Sequence, residues 1–340
     1  MHFFDYQLPE RLIAQQPAAR RDESRLLVLR RGGGELEHRI FRDLPELLAP
    51  GDLLVLNDTR VLPARLLGHR EKTGGKWECL FLKRGPDGWW ELLAKTRGHP
   101  NNGEAFVVNG DFRLILRGRT EEHHWLMEPD PPGEPEELLA RFGTIPLPPY
   151  IRQGRSREED AERYQTVFAE KLGSVAAPTA GLHFTPELFE RLKVKRIETA
   201  RVTLHVGLGT FAPVKVADPA NHAIHHEWCE VSQATCEAIR ECKQRGGRVV
   251  SVGTTATRTL ETGGAAGFVQ PFRGGTDLYI RPHYEFRVVD ALITNFHLPR
   301  TTLLLLVGAF AGSDRLRRAY EEAIRKEYRF YSYGDAMIVL

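Results

Sequence analysis

The sequence predicts an α/β protein in which one discontinuous α/β domain, residues 1–63 and 150–340, is interrupted by a small antiparallel β-domain, residues 64–149. Three observations point there. After residue 150, strand-like apolar runs alternate with helical periods, the mark of an α/β layer. Between residues 64 and 128 the apolar runs are short, show no helical period and are separated by turn formers, as in a barrel or sandwich. Seven of the 21 prolines crowd between Pro129 and Pro149, where neither a helix nor a central strand can continue, so this stretch reads as a return linker.

Near the N-terminus, the run Leu53-Leu54-Val55-Leu56 enters Asn57-Asp58-Thr59, a buried strand feeding a loop. In the insert, residues 77–82, 89–93 and 112–116 read as strands. Gly74-Gly75, Pro86-Asp87-Gly88, Asn101-Asn102-Gly103 and Asn109-Gly110-Asp111 supply their hairpin turns. Ser156 with Glu159 forms a capping box for a helix from Arg157 to Lys171. Thr185-Pro186 opens a second helix with proline at its first position. Ser232 caps a third, whose Ala238, Ile239 and Cys242 share one face. Strands are expected at residues 198–206, 248–252, 277–280 and 288–293, and Leu303 to Val307 reads as a buried strand or helix. A last helix, about 314–327, buries Leu316, Tyr320, Ala323 and Ile324 and turns Arg315, Arg317, Arg318, Arg325 and Lys326 outward. Texture alone leaves an N-terminal lobe folded by itself as the alternative.

A chain of 340 residues has room for a sizeable core without metal or disulfide. Its formal net charge of +2 excludes a polycation, so nucleic-acid binding here would rest on local charge and a shaped site. Cys79, Cys229, Cys236 and Cys242 contain no C-x-x-C pair and read as reduced thiols of a cytoplasmic protein. The first residues lack a basic region followed by an apolar core and are not read as a signal peptide. The longest apolar run falls well short of the ~20 residues of a membrane span.

Several polar bursts follow apolar runs. Gly207-Leu208-Gly209-Thr210-Phe211-Ala212 fits a dinucleotide fingerprint, yet Pro213 and Pro219 deny it the helix that motif requires. A tight loop approaching another ligand is the better reading. Ala176 through Thr185 carries small residues and His183 between a strand end and a helix start. That histidine is either a proton-transfer group or one bonded to nearby backbone. Val252 through Glu261 clusters hydroxyls at another strand-to-helix turn, for ligand anchoring or for simple capping. Asn57-Asp58-Thr59-Arg60 and Thr294 through Pro299 are strand-end bursts of the kind that line α/β crevices. Tyr331-Ser332-Tyr333-Gly334-Asp335 reads as a cation or sugar-hydroxyl site or as a solvated turn. His222, His225 and His226 with Glu227 do not make a metal motif, since no helical period or fourth ligand supports them.

Seven stretches together resemble the S-adenosylmethionine:tRNA ribosyltransferase-isomerase family. They are Leu56 through Val61 with Pro63-Ala64-Arg65; Ile145 through Tyr150; Ser174 through Thr185; His205 through Phe211; Val252 through Glu261; Asp290 through Pro299; and Arg329 through Met337. They cover nearly the whole chain in one order. Departures from the pattern are Ala212 where a basic residue is frequent, His283 where glycine is common, and Thr301 for the usual serine.

The resemblance implies a discontinuous α/β domain with an inserted β-barrel, in a cytoplasmic enzyme of queuosine biosynthesis. It implies S-adenosylmethionine as co-substrate, no metal or other cofactor, and a tRNA whose wobble base is 7-aminomethyl-7-deazaguanine. A monomer is the favoured state. His183 is then the leading catalytic residue, with His297 and Asp335 behind it. Asn57, Asp58, Thr59, Arg60, Thr179, Gly181, His205, Gly207, Gly209, Thr210, Thr254, Thr255, Arg258 and Asn295 are the expected substrate-binding residues. Arg152, Arg155 and Arg157, or the face bearing Arg315, Arg317 and Arg318, are candidate tRNA contacts. The rival readings are an S-adenosylmethionine-dependent RNA methyltransferase and a non-catalytic tRNA-binding module.

Overall fold

The computed structural model describes residues 5–207, 216, 219, 222, 224 and 226–340. They form two compact units. The first runs to Arg60, takes up Tyr150–Arg152 and resumes over Arg163–Leu340; the second comprises Val61–Pro149 and Gln153–Glu162.

The first unit begins with strands β1 (Arg25–Leu29) and β2 (Glu37–Ile40), the one-turn helix α1 (Leu44–Leu47), β3 (Leu53–Asn57) and β4 (Thr59–Val61). The chain then enters the second unit, a closed antiparallel barrel of β5 (Arg65–Arg70), β6 (Lys76–Arg84), β7 (Trp90–Thr96), β8 (Ala105–Asn109), β9 (Phe112–Arg119) and β10 (Trp125–Asp130). Alternate residues of these strands point inward, so Trp77, Cys79 and Phe81 of β6 meet Trp90, Phe106, Phe112 and Leu116 in the barrel core.

The proline-rich stretch is not a bare linker. Pro129 lies within β10, and α2 (Pro135–Phe142) starts on Pro135, where a missing N–H costs nothing because first-turn donors have no partner in the helix anyway. The helix expected from Arg157 shrinks to the single turn α3 (Asp160–Arg163), and Asp160, not Ser156, accepts the N–H of Arg157. The reason is tertiary. The N–H groups of Glu170 and Lys171 are given to the Asp58 carbonyl, which draws β11 (Lys171–Ser174) alongside β4.

After β11 come α4 (Pro186–Val194), β12 (Glu198–Leu204), β13 (Glu227–Val231), α5 (Gln233–Gln244), β14 (Val249–Val252), α6 (Thr254–Gly263), β15 (Phe272–Thr276), β16 (Ala291–Asn295), α7 (Thr302–Ala311), α8 (Ser313–Arg325) and β17 (Ala336–Val339). Thr185, Ser232 and Thr301 cap α4, α5 and α7 through their hydroxyls. The apolar run at Leu303 is therefore helical. The strand expected at 277–280 forms five residues earlier, as β15, and 277–280 lies beyond its end.

Nine strands make one mixed sheet, ordered β15-β13-β12-β3-β14-β16-β17-β1-β2. Strands from both ends of the chain share it, so the N-terminal segment is no separate lobe. Leu53, Val55 and Val202 pack on one face with α5 to α8; Leu54, Leu56, Val250 and Ile293 pack on the other with Phe41, Phe184 and α4. The central strands β12, β3, β14 and β16 run parallel. From β3 the chain goes to β12 on one side and then to β14 on the other. This reversal of direction opens a crevice at the carboxyl ends of the strands, the usual ligand position in such sheets.

Candidate active site

At that edge lie two adjoining hollows of about 320 and 350 Å³ within the first unit. Both are lined by Thr179, Asn295, His297 and Leu303. Gly253, Thr254 and Thr255 complete one, and Tyr150, Tyr331 and Ser332 the other. Gly253 holds φ +91°, a backbone form that only glycine adopts without strain, and it turns β14 directly into α6. Glycine at that cap position offers no side chain to the helix, and Thr254 and Thr255 of its first turn line the hollow.

Two buried histidines flank Asn295. The Ser24 hydroxyl donates to the Arg21 carbonyl and sits 2.7 Å from His183 Nδ1, which assigns the proton to Nδ1. His183 Nε2 then accepts from the Asn295 amide at 3.3 Å, and that amide also donates to the Tyr331 carbonyl at 3.0 Å. Asn295 Oδ1 is buried and has no hydrogen-bond partner among the described residues. On the other side, Thr294 Oγ1 is 2.7 Å from His297 Nε2 and donates to the Asn295 carbonyl, which leaves Nδ1 of His297 as a lone pair. The His297 N–H donates to Tyr320 and its carbonyl accepts from Tyr6. Burial holds both imidazoles neutral, lowering His183 to about 4 and His297 to about 3.

His297 therefore borders both hollows. His183, the leading candidate from sequence, stacks on Phe41 and borders a separate hollow with Arg21 and Tyr333. Asp335 is not in the cleft, nor is it a solvated turn. It accepts from the N–H groups of Arg25 and Arg329 and pairs with the Arg25 guanidinium, closing the C-terminal loop onto β1. Asn57 is consumed internally: its amide donates to the Leu204 carbonyl and Thr255, and its carbonyl accepts from Thr59 and Leu204. Asp58 accepts from Thr203 at 2.7 Å, and burial raises its carboxyl. Thr59 meets His205 Nδ1 at 2.8 Å, and that ring stacks on Trp228.

Thr179, Thr254, Thr255 and Asn295 thus meet in the cleft, and Asn57 supports it through Thr255, while Asp58, Thr59 and His205 bond to groups outside its lining. Gly181 is a packing glycine, since a Cβ would come within 2.8 Å of Phe168 and Thr166. Arg60 is exposed and has no partner among the described residues. Gly207 donates its N–H to Glu227, whereas Gly209, Thr210, Ala212 and His225 lie outside the described residues. Sequence reading missed the partner of Arg258: this buried guanidinium pairs with Glu227, 31 residues away, and lines a further hollow with Leu278 and Leu306. His222 borders that hollow beside Tyr279, and exposed His226 faces Asp277. His283 stands at φ +75°, which accounts for glycine being common there in the pattern.

Among the proposed tRNA contacts, Arg152 bonds Gln15, Arg157 faces Glu159, and Arg315, Arg317 and Arg318 are exposed along α8. All four cysteines are buried and unpaired with each other. No helix among the described residues is long and apolar enough to cross a membrane.

The model of the family described as "Queuosine biosynthesis protein" matches residues 1–339. The chain belongs to this family. Within the queuosine biosynthesis family, a curated relative from Symbiobacterium thermophilum is 53% identical, over 99% of this chain and 98% of its own length. Another from Thermotoga maritima is 50% identical over the same shares. Both are named S-adenosylmethionine:tRNA ribosyltransferase-isomerase. The crystal structure of S-adenosylmethionine tRNA ribosyltransferase from Thermotoga maritima matches with a TM-score of 0.57 at 40% identity, covering 99% of both chains. The mixed α/β architecture with its closed barrel is the family fold.

Proposed function

We infer that this chain transfers and isomerises the ribosyl group of S-adenosylmethionine onto 7-aminomethyl-7-deazaguanine at the wobble position of tRNA, giving epoxyqueuosine-tRNA, adenine and methionine. The observation that carries the reading is likeness to the named relatives along the whole chain, at 50–53% identity. The crevice at the strand ends supplies what the chemistry needs.

The sulfonium acidifies the ribose 5′ carbon, and a neutral base must take that proton. His297 Nδ1 fits the role by position: its lone pair is bonded to no other group among the described residues, and the ring borders both hollows. His183 acts one step back, fixing the orientation of Asn295 so that Oδ1 points an unmatched acceptor at the ligand. Thr179 and Thr254 offer hydroxyls to the sugar. Adenine leaves with a proton, the aminomethyl nitrogen attacks as a neutral amine and gives up one N–H proton as its bond to a ribosyl carbon forms, the deprotonated 5′ carbon closes the carbon ring, and methionine departs as the epoxide oxygen takes its place. Arg60, exposed and unpaired among the described residues, is suited to a tRNA phosphate.

Incubating the protein with labelled S-adenosylmethionine and tRNA bearing the aminomethyl base is expected to release adenine and methionine in equal amounts. S-adenosylhomocysteine as the product would make the chain a methyltransferase, and tRNA binding without turnover would make it a binding module. Either result overturns the reading.

A further inference from the structure

Arg258 stands one turn along α6 from Thr254 and is 6% exposed. Its Nη1 pairs with Glu227, and its Nε donates to the Leu278 carbonyl at 3.1 Å. Its Nη2 is buried and has no acceptor among the described residues. A buried guanidinium donor without a partner is costly unless a ligand supplies the oxygen. The hollow it faces is about 430 Å³, walled by Leu278, Ile280, Leu303 and Leu306. Leu303 also lines the two hollows that hold His297, so the three adjoin.

We propose that Arg258 Nη2 receives the α-carboxylate of the methionyl group of S-adenosylmethionine, and that this hollow is the amino-acid end of the substrate site. The proposal rests on reading the cleft as the S-adenosylmethionine site, and it fixes which way the ligand lies. One helical turn from Thr254 to Arg258 advances roughly 6 Å. An extended methionyl chain spans roughly 5 Å from sulfur to carboxyl carbon by standard bond lengths. A sulfonium held beside His297 and Thr254 thus brings the carboxylate within reach of the hollow that Arg258 lines, with its methylenes against the leucines. The ligand's ammonium offsets the nearby Glu227 carboxylate. A tRNA phosphate shares the anionic oxygen but brings no cation to face Glu227, which also lines the hollow, so the charges favour the zwitterion.

The test compares S-adenosylmethionine with its decarboxylated analogue by titration calorimetry. The parent is expected to bind S-adenosylmethionine about 10- to 100-fold more tightly, the range for hydrogen bonds to a charged group. In Arg258→Met combined with Glu227→Gln, which leaves no carboxylate buried alone, the two ligands bind alike, and tRNA affinity is unchanged. Should that variant not fold, Arg258→Lys carries the test, because a single ammonium reads a carboxylate less well and reduces discrimination severalfold. Equal binding of both ligands by the parent overturns the proposal while leaving the function standing. Full discrimination in the variants, or a loss of tRNA affinity instead, also overturns it. A parent that binds neither ligand removes the functional reading itself.

Discussion

His297→Gln is expected to slow single-turnover adenine release by about 10²–10⁴-fold, the usual contribution of a positioned base. S-adenosylmethionine affinity should stay within about threefold, because the glutamine amide can still meet Thr294. His183→Gln is expected to cost about tenfold, since His183 touches the cleft only through Asn295. Rapid-quench measurement of adenine separates the two. Near-parent rates in His297→Gln would exclude His297 as the base and return His183 to the leading position.

Acidification from pH 7 to pH 5 is expected to destabilise the fold by about 4 kcal/mol. Both imidazoles are held below the ordinary histidine value of 6.5, His183 to about 4 and His297 to about 3, chiefly by desolvation. Between pH 6.5 and those values the unfolded chain binds protons that the folded one refuses, so stability is complete above 6.5 and falls with pH. Each histidine contributes about 2 kcal/mol over the interval. His205, lowered by burial as well, acts in the same direction. Urea unfolding at the two pH values measures this. Replacing both His183 and His297 with glutamine should flatten the difference, and equal parent stability at pH 7 and 5 would contradict it.

Much of the fold was legible because local signals agreed with the tertiary outcome. The run ending at Asn57 and the hydroxyl-rich turn at Thr254 announced strand ends, and strand ends are where this sheet opens its crevice. The hairpin turns and absent helical period announced the barrel. The failures share a cause. Phe272-Arg273-Gly274-Gly275-Thr276 has the composition of a turn, yet becomes a strand because its partner β13 supplies the ladder. The helix expected after Ser156 yields to pairing beside β4, which no local window contains. Pro135 sits at the first helical position, where its usual veto does not apply.

The site was legible as a set of segments and illegible as roles. His183, His297 and Asp335 look equivalent in sequence, each a titratable group in a polar burst. Only the fold spends Asp335 on two backbone N–H groups, turns His183 toward Ser24 and leaves His297 facing the cleft. The pairing of Arg258 with Glu227 depends on α6 crossing the start of β13, a long-range contact without a sequence signature.

S-adenosylmethionine is expected to bind at the carboxyl ends of β3, β14 and β16. A crystal structure with S-adenosylhomocysteine bound tests it most directly. The expected density lies between Thr179, Thr254, Asn295 and His297, with Asn295 Oδ1 accepting a hydrogen bond from the ligand. Ligand density on the barrel, or anywhere away from Asn295 and His297, would contradict the account.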